Sequence, residues 1–181
     1  MFLLYNSYTM TTQWIIADPH FGHAALVEKG YRAAGFEEKI IKSISNTTQN
    51  RDYLIILGDL FFGGKDVWFD YRKRFPSHGK YILVRGNHDK KSLDWYTDNG
   101  FDFAVDALVV RKYGFKVLLT HIPQKEERLA YYDLNIHGHL HNNAHRKTEL
   151  CAKHVLYSAE AENYQPLSLQ TLIERGKTSL T

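Results

Sequence analysis

A single cysteine, Cys151, stands in 181 residues, so no disulfide can form within the chain. That thiol count makes a reducing compartment the default, and the expected location is the cytoplasm. No apolar run approaches the roughly 18 residues that would read as a membrane-spanning helix, so no membrane association is expected. No sign of charge dominates either. Lys and Arg number 23 against 20 Asp and Glu, a net charge of +3. Such a balance builds no strong basic field, so a nucleic-acid partner is permitted but not indicated. Repeats, low-complexity tracts and linker-like stretches are missing too, and one domain usually holds about 100–200 residues. Residues 10–181 are therefore read as one domain. The opening Met1–Tyr5 is apolar but short and has no basic flank, so no signal peptide is expected. Met10 offers an alternative start, which makes residues 1–9 an N-terminal extension. The sequence carries no signal for oligomeric state.

What is present is an ordinary globular composition, 44% hydrophobic and 24% charged, together with ten histidines. Three short runs are continuously apolar: Gln13–Ala17, Tyr53–Leu57 and Tyr81–Val84. Runs of this length without polar alternation fit strands buried on both faces of a sheet. Helical spacing of Ile40, Ile41 and Ile44 predicts a helix over Glu37–Ser45, and Asp66–Phe75 is a second candidate. Alternation of strand and helix is the signature of an α/β layered fold. The second half reads differently. Ala107–Val110 and Phe115–Leu119 flank Lys112-Tyr113-Gly114 and predict a hairpin. Leu134–Ile136 and Val155–Tyr157 are short strand candidates, and residues 142–153 read as a polar loop. A closing helix is expected over Leu167–Arg175, with Ser168 near its start and Gly176 ending it.

The polar residues that follow these strands carry the chemistry. Asp18 and His20 follow the first run, Asp59 the second, and Asn87, His88 and Asp89 the third. His121 follows Val117–Thr120, while His139 and His141 follow Leu134–Ile136. In a layered sheet the ligand crevice lies beyond the carboxyl ends of the strands, so these groups can converge. Asp18, His20, Asp59, Asn87, His121, His139 and His141 form a mixed oxygen and imidazole set. It suits divalent Mn, Fe, Co, Ni or Zn and is a poor set for Ca. Seven side chains are too many for one ion and suit two ions if one carboxylate bridges them. Asp59 is the natural bridge, because Gly58 beside it lets backbone pack closely. Two ions about 3.5–4 Å apart polarise a phosphate and activate a shared water as a hydroxide for in-line attack. His88 is suited to protonate the leaving oxygen, since imidazole titrates near neutral pH.

The ordered blocks Asp-x-His, Gly-Asp, Gly-Asn-His-Asp, His and Gly-His-x-His resemble those of the calcineurin-like metallophosphoesterases. The tail Tyr157–Leu167 also looks like the closing segment of small single-domain bacterial and phage members. The resemblance implies a two-sheet β sandwich flanked by helices, a four-layer α/β/β/α fold. It further implies that Asp18, His20, Asp59 and His141 hold one metal, that Asp59, Asn87, His121 and His139 hold the other, and that His88 is the phosphate-contacting acid. Manganese is the favoured ion. The implied activity is metal-dependent hydrolysis of a small phosphate ester, a phosphodiester in preference to a phosphomonoester, with nucleotides as the favoured substrates. A nuclease of the same chemistry and a non-catalytic binding scaffold on the same fold are the alternatives. The fourth block departs from many relatives: Ile122 and Pro123 follow His121, where a small residue and glycine are common. His23 is a further candidate for the substrate pocket. His78, His137, His145 and His154 match no block and read as structural. Arg85 reads as packing, Asp89 as a loop-orienting carboxylate, the aromatic stretch Trp68–Arg72 as a helix with a buried face, and Cys151 as unreactive.

Overall fold

The computed structural model describes residues 11–143 and 150–180, so the extension over residues 1–9 and His145 lie outside the described residues. The three apolar runs form strands β1 (Gln13–Ile16), β2 (Tyr53–Leu57) and β3 (Lys80–Val84). Helices lie between them: α1 (Ala25–Glu28) and α2 (Phe36–Thr47), then α3 (Lys65–Arg72). After β3 come α4 (Leu93–Asp98) and a three-residue strand, β4 (Phe103–Val105). The second half supplies β5 (Leu108–Lys112), β6 (Phe115–Thr120), a 3-10 turn over Glu126–Tyr131, β7 (Leu134–His137) and β8 (His154–Leu156). The chain then closes with β9 (Leu167–Ser168) and α5 (Leu169–Leu180).

Two mixed sheets result, one ordered β4-β3-β2-β1-β9 and the other β5-β6-β7-β8, with helices flanking them. β1 to β4 run parallel and β9 joins β1 antiparallel. In the second sheet β6, β7 and β8 are parallel and β5 pairs antiparallel with β6. Apolar side chains on both faces explain the parallel strands: Ile15, Ile16, Leu54, Ile56 and Leu57 are fully buried. The hairpin turns through Tyr113 and Gly114, both at positive φ, as a two-residue turn that matches strand twist requires. α2 buries Phe36, Ile40, Ile41 and Ile44 on the face that the sequence spacing predicts. Trp68 of α3 is wholly buried, stacks on Phe101 at 5.2 Å and donates its indole N–H to the Asn99 carbonyl at 2.8 Å. The aromatic stretch is thus a helix that buries one face, with Trp68 in the core.

Several boundaries differ from the sequence expectation. α3 stops at Arg72, and Phe75 is buried beyond it. The fourth strand of the second half is His154–Leu156, one residue earlier than expected. β4 is only three residues long with Phe103 exposed, so no apolar run marks it. The closing helix is the largest correction. Leu167 and Ser168 belong to β9, and Gly176 lies inside α5 instead of ending it. Gly176 is there for packing. A Cβ on it would stand 2.6 Å from one Leu134 methyl and 2.9 Å from Val155 Cγ2. Gly176→Ala is therefore expected to lower the unfolding temperature. Alanine gains about 1 kcal/mol of helix propensity, but overpacking a core costs about 1–3 kcal/mol. A thermal melt checks the sign, and a higher melting temperature would refute the tight contact.

Candidate metal centre

The parallel ladders bring the strand ends into line. Ile16 pairs with Ile56 and Leu57 with Val84 in the first sheet, and Thr120 pairs with His137 in the second. The residues just beyond these ends meet where the two sheets abut. The loops after β1 and β2 run on as a pair: Asp18 N donates to Gly58 O at 3.1 Å and His20 N to Asp59 O at 2.9 Å. Gly58 has a φ of 77°, and a Cβ there would come within 2.6 Å of Gly86 Cα and of His121 Nδ1. Only glycine lets the second sheet's histidine approach this closely. Asp89 ties the loops together as expected: its carboxylate accepts from Asp59 N, Leu60 N and Gly86 N at 2.8, 3.0 and 2.7 Å.

Backbone strain concentrates at this junction. Asp18, His20, Asp59, His139 and His141 all have φ between 49° and 70°. A non-glycine residue in that region costs on the order of 1–3 kcal/mol and persists where its surroundings hold it in place. Here the strain turns side chains from several strand ends toward one point.

Two clusters form. Asp18, His20 and His141 have potential ligand atoms within 4.8 Å of one another, and so do Asp59, His121 and His139. Asp59 reaches both, with Oδ2 3.7 Å from His20 Nε2 and Oδ1 3.4 Å from His121 Nε2. The Asn87 amide oxygen lies 2.9 Å from His121 Nε2. His88 donates its backbone N–H to Asp59 Oδ1 at 2.9 Å, and its half-exposed ring holds Nε2 4.0 Å from Asp59 Oδ2. All eight residues singled out in the sequence are thus brought together.

The donor chemistry fits a pair of cations. His121 Nδ1 donates to the Leu57 carbonyl at 2.8 Å, which leaves the lone pair on Nε2. That lone pair faces the Asn87 oxygen, His139 Nδ1 at 3.1 Å and Asp59 Oδ1. Asp18 Oδ1 is buried with no hydrogen-bond partner, 3.7 Å from His141 Nε2 and 3.8 Å from His20 Nε2. A carboxylate oxygen such as Asp18 Oδ1, held out of water without a donor, is costly, and a divalent cation beside it removes that cost. Burial pushes the Asp18 carboxyl up to about 6, against the opposing charges of His121 and His141. Burial, then the Arg32 charge, push His20 down to about 2, so its imidazole is neutral and free to ligate.

Two residues outside the motif blocks reach this centre. Glu160 Oε1 lies 3.0 Å from His141 Nδ1, and the Arg32 guanidinium meets the same oxygen at 2.7 Å through Nη2 and 2.8 Å through Nε. Burial acts to raise Glu160, but the His141 hydrogen bond and the Arg32 charge outweigh it and hold the carboxyl far below its usual range. No spacing rule links Arg32 to Glu160 in the sequence; the tail that carries Glu160 is the only signal.

The remaining histidines stand apart. His78 Nε2 lies 3.2 Å from the Thr48 carbonyl, and His137 is buried with Nδ1 2.9 Å from the Gly138 carbonyl. His154 lies beside Cys151, whose Sγ is 3.3 Å from His154 Nδ1. That nitrogen already accepts the Cys151 backbone N–H at 3.0 Å, and Nε2 lies 2.9 Å from the Gln124 carbonyl. The imidazole is thereby committed to backbone, so the contact is structural. Arg85 is held by Asp106 at 2.7 Å and by the Lys91 carbonyl at 3.0 Å, a packing role. His23 stacks on Phe62 with ring centroids 3.8 Å apart and lies 5.5 Å from the His20 ring, at the edge of the centre.

Two clefts border the centre. The one beside His141 measures about 410 Å³ and is lined by Leu26, Tyr31, Leu140, Asn142 and Asn143 with Arg32 and Glu160. The one beside His88 measures about 360 Å³ and includes Phe61, Phe62, Lys90 and Lys91. Among the described residues, no helix is long and apolar enough to cross a membrane.

The chain is 28% identical to the uncharacterized protein MJ1445 of Methanocaldococcus jannaschii, over 96% of this chain and 97% of that one. Its fold is similar to that of a protein of unknown function, AQ665 from Aquifex aeolicus, with a TM-score of 0.74 and 26% identity over 91% of this chain and 99% of that chain. An archaeal phosphodiesterase aligns with a TM-score of 0.45 and 20% identity over 71% of this chain and 73% of that chain. Residues 11–155 match the family model for calcineurin-like phosphoesterases. With most of its length covered by that match and two His/Asp clusters at the carboxyl ends of its strands, the chain belongs to the calcineurin-like phosphoesterase family.

Proposed function

We propose that the protein is a dinuclear-metal phosphohydrolase that cleaves phosphodiesters in preference to phosphomonoesters. The observation that carries this reading is the convergence of buried lone pairs in two clusters that share Asp59. In this reading Asp18, His20, Asp59 and His141 hold one ion, and Asp59, Asn87, His121 and His139 hold the other. Two divalent ions bound there would polarise a phosphate ester and supply a water-derived nucleophile at neutral pH. Manganese is the first ion to test. The chain's own contribution is orientation and a proton. Asp59 is aimed by the N–H of His88 and by the loops that Asp89 ties down. In this reading His88, half-exposed with Nε2 4.0 Å from Asp59 Oδ2, would give its proton to the departing ester oxygen.

The clefts support a diester. A phosphomonoester has one organic arm, whereas a diester has two, and two separate clefts border the centre, one at His141 and one at His88. The cleft beside His141 is mainly apolar with two amides, which suits the organic part of a nucleotide; Lys90 and Lys91 in the other cleft suit negative charge. The test is hydrolysis of bis(p-nitrophenyl) phosphate beside p-nitrophenyl phosphate with Mn²⁺, with Ni²⁺ and with chelator. Metal-dependent turnover that favours the diester is expected. A monoester preference would overturn the substrate assignment. Turnover of neither, with two ions bound, would overturn the hydrolase reading in favour of a binding scaffold.

A further inference from the structure

We propose that Arg32 and Glu160 are positioning residues that fix the tautomer and aim of His141. Glu160 would accept the Nδ1 proton, so that Nε2 presents its lone pair to Asp18 and His20. This rests on the metal-centre reading above and adds to it a part of the chain that no motif block contains. A carboxylate that accepts an imidazole N–H settles which ring nitrogen is left to bind a metal, and raises its basicity.

The geometry at His141 differs from that at His121. His121 is fixed by a backbone carbonyl, that of Leu57, which any residue at that position would supply. His141 instead depends on a side chain 19 residues further on, with Glu160 Oε1 at 3.0 Å from Nδ1. Its other nitrogen, Nε2, lies 3.3 Å from His20 Nε2 and 3.7 Å from Asp18 Oδ1. Glu160 is itself held on three sides. Ser158 Oγ donates to Oε2 at 3.0 Å, and Arg32 reaches Oε1 through both Nε and Nη2. Arg32 is in turn buried, its side chain only 1% exposed. Nη1 donates to the Pro19 carbonyl at 3.1 Å, between Asp18 and His20 in sequence, and the guanidinium lies 4.8 Å over the Phe36 ring.

The charges explain why two residues are needed. A carboxylate alone at Glu160 would be a poorly solvated anion free to swing toward the metal cluster. A guanidinium alone would repel cations bound there. Paired, they cancel, and what His141 receives is direction without net charge. Arg32 also lies 3.4 Å from His141 Nδ1 through Nη2, a longer contact than the one made by the carboxylate oxygen. A guanidinium can only donate, so of the two the carboxylate oxygen is the acceptor open to an Nδ1 proton, and it is also the closer.

The test uses the full chain, metal-free and with Mn²⁺. Glu160→Gln alone leaves a buried guanidinium unpaired and is a poor probe if it unfolds. The double variant Arg32→Met with Glu160→Gln removes both charges at similar volume. In metal-free wild-type protein at alkaline pH, where the His141 ring is neutral, long-range ¹⁵N–¹H correlation spectra are expected to show His141 as the Nδ1–H tautomer, and the double variant is expected to lose that preference. Calorimetric titration with Mn²⁺ is expected to show one ion bound about 10–100-fold more weakly in the double variant, with the other ion held as in wild type. A wild-type His141 protonated on Nε2 would overturn the proposal, whether or not the variant folds. So would unchanged affinity for both ions in a folded double variant. If the wild type hydrolyses no ester, the hydrolase reading fails, while the tautomer and the titration still decide this one.

Discussion

Replacing Asp59 by asparagine is expected to remove at least one of two bound ions and to lower hydrolysis by roughly a thousandfold or more. The substitution preserves shape. An asparagine oxygen can still accept the His88 backbone N–H that Asp59 accepts at 2.9 Å. What disappears is the negative charge between His20 Nε2 and His121 Nε2, 3.7 and 3.4 Å away. Imidazoles at those distances offer lone pairs and no charge, so the carboxylates must offset much of the ions' desolvation. Asp18 would then be the one carboxylate left within the two clusters. Elemental analysis of the purified variant, with calorimetric titration, counts the ions. Two ions at full occupancy would remove Asp59 from the bridging role.

His88→Ala is expected to behave in the opposite way, keeping both ions while turnover falls by roughly 10²–10⁴. The ring touches none of the buried lone pairs. It packs beside Phe62 with centroids 4.8 Å apart, and its side chain is 46% exposed. The contact that organises Asp59 comes from the His88 backbone N–H, which alanine retains. Loss of an exposed side chain costs little stability, so the effect should lie in kcat. A leaving group that needs no proton, such as p-nitrophenolate, should suffer least, and a poorer one should suffer most. Unchanged turnover with a poor leaving group would exclude His88 as the acid.

Much of this molecule was legible because its information is local. A continuous apolar run such as Tyr53–Leu57 is a buried strand by composition alone, and the bounds of β2 match it. Gly58-Asp59 and Gly86-Asn87-His88-Asp89 mark the ends of such runs, so the residues with chemistry could be placed at strand termini before any contact was known. Where local signals were weak, the reading failed. Phe103–Val105 is too short to register, and Gly176 imitates a helix stop although it serves a contact with Leu134 and Val155 across the core. Leu167 and Ser168 look like the start of a helix, yet they pair with Ile15 and Trp14 as an edge strand.

By itself, then, the sequence determined an α/β layered chain, the strand-end positions of eight site residues, and a donor set suited to borderline divalent ions. Each of these follows from residue type and near-neighbour order. Only the tertiary structure decided how those strand ends meet. It set the loops after β1 and β2 edge to edge, put His121 against Gly58 and Gly86, and gave Asp59 reach to both clusters. It also decided what lies behind His141. Arg32 and Glu160 are separated by 128 residues and come into contact because the chain's closing segment returns to the connection between α1 and α2. A buried ion pair of that kind leaves no periodicity and no spacing in the sequence. Its existence depends on the docking of distant segments, and so does the aim of the histidine that it holds.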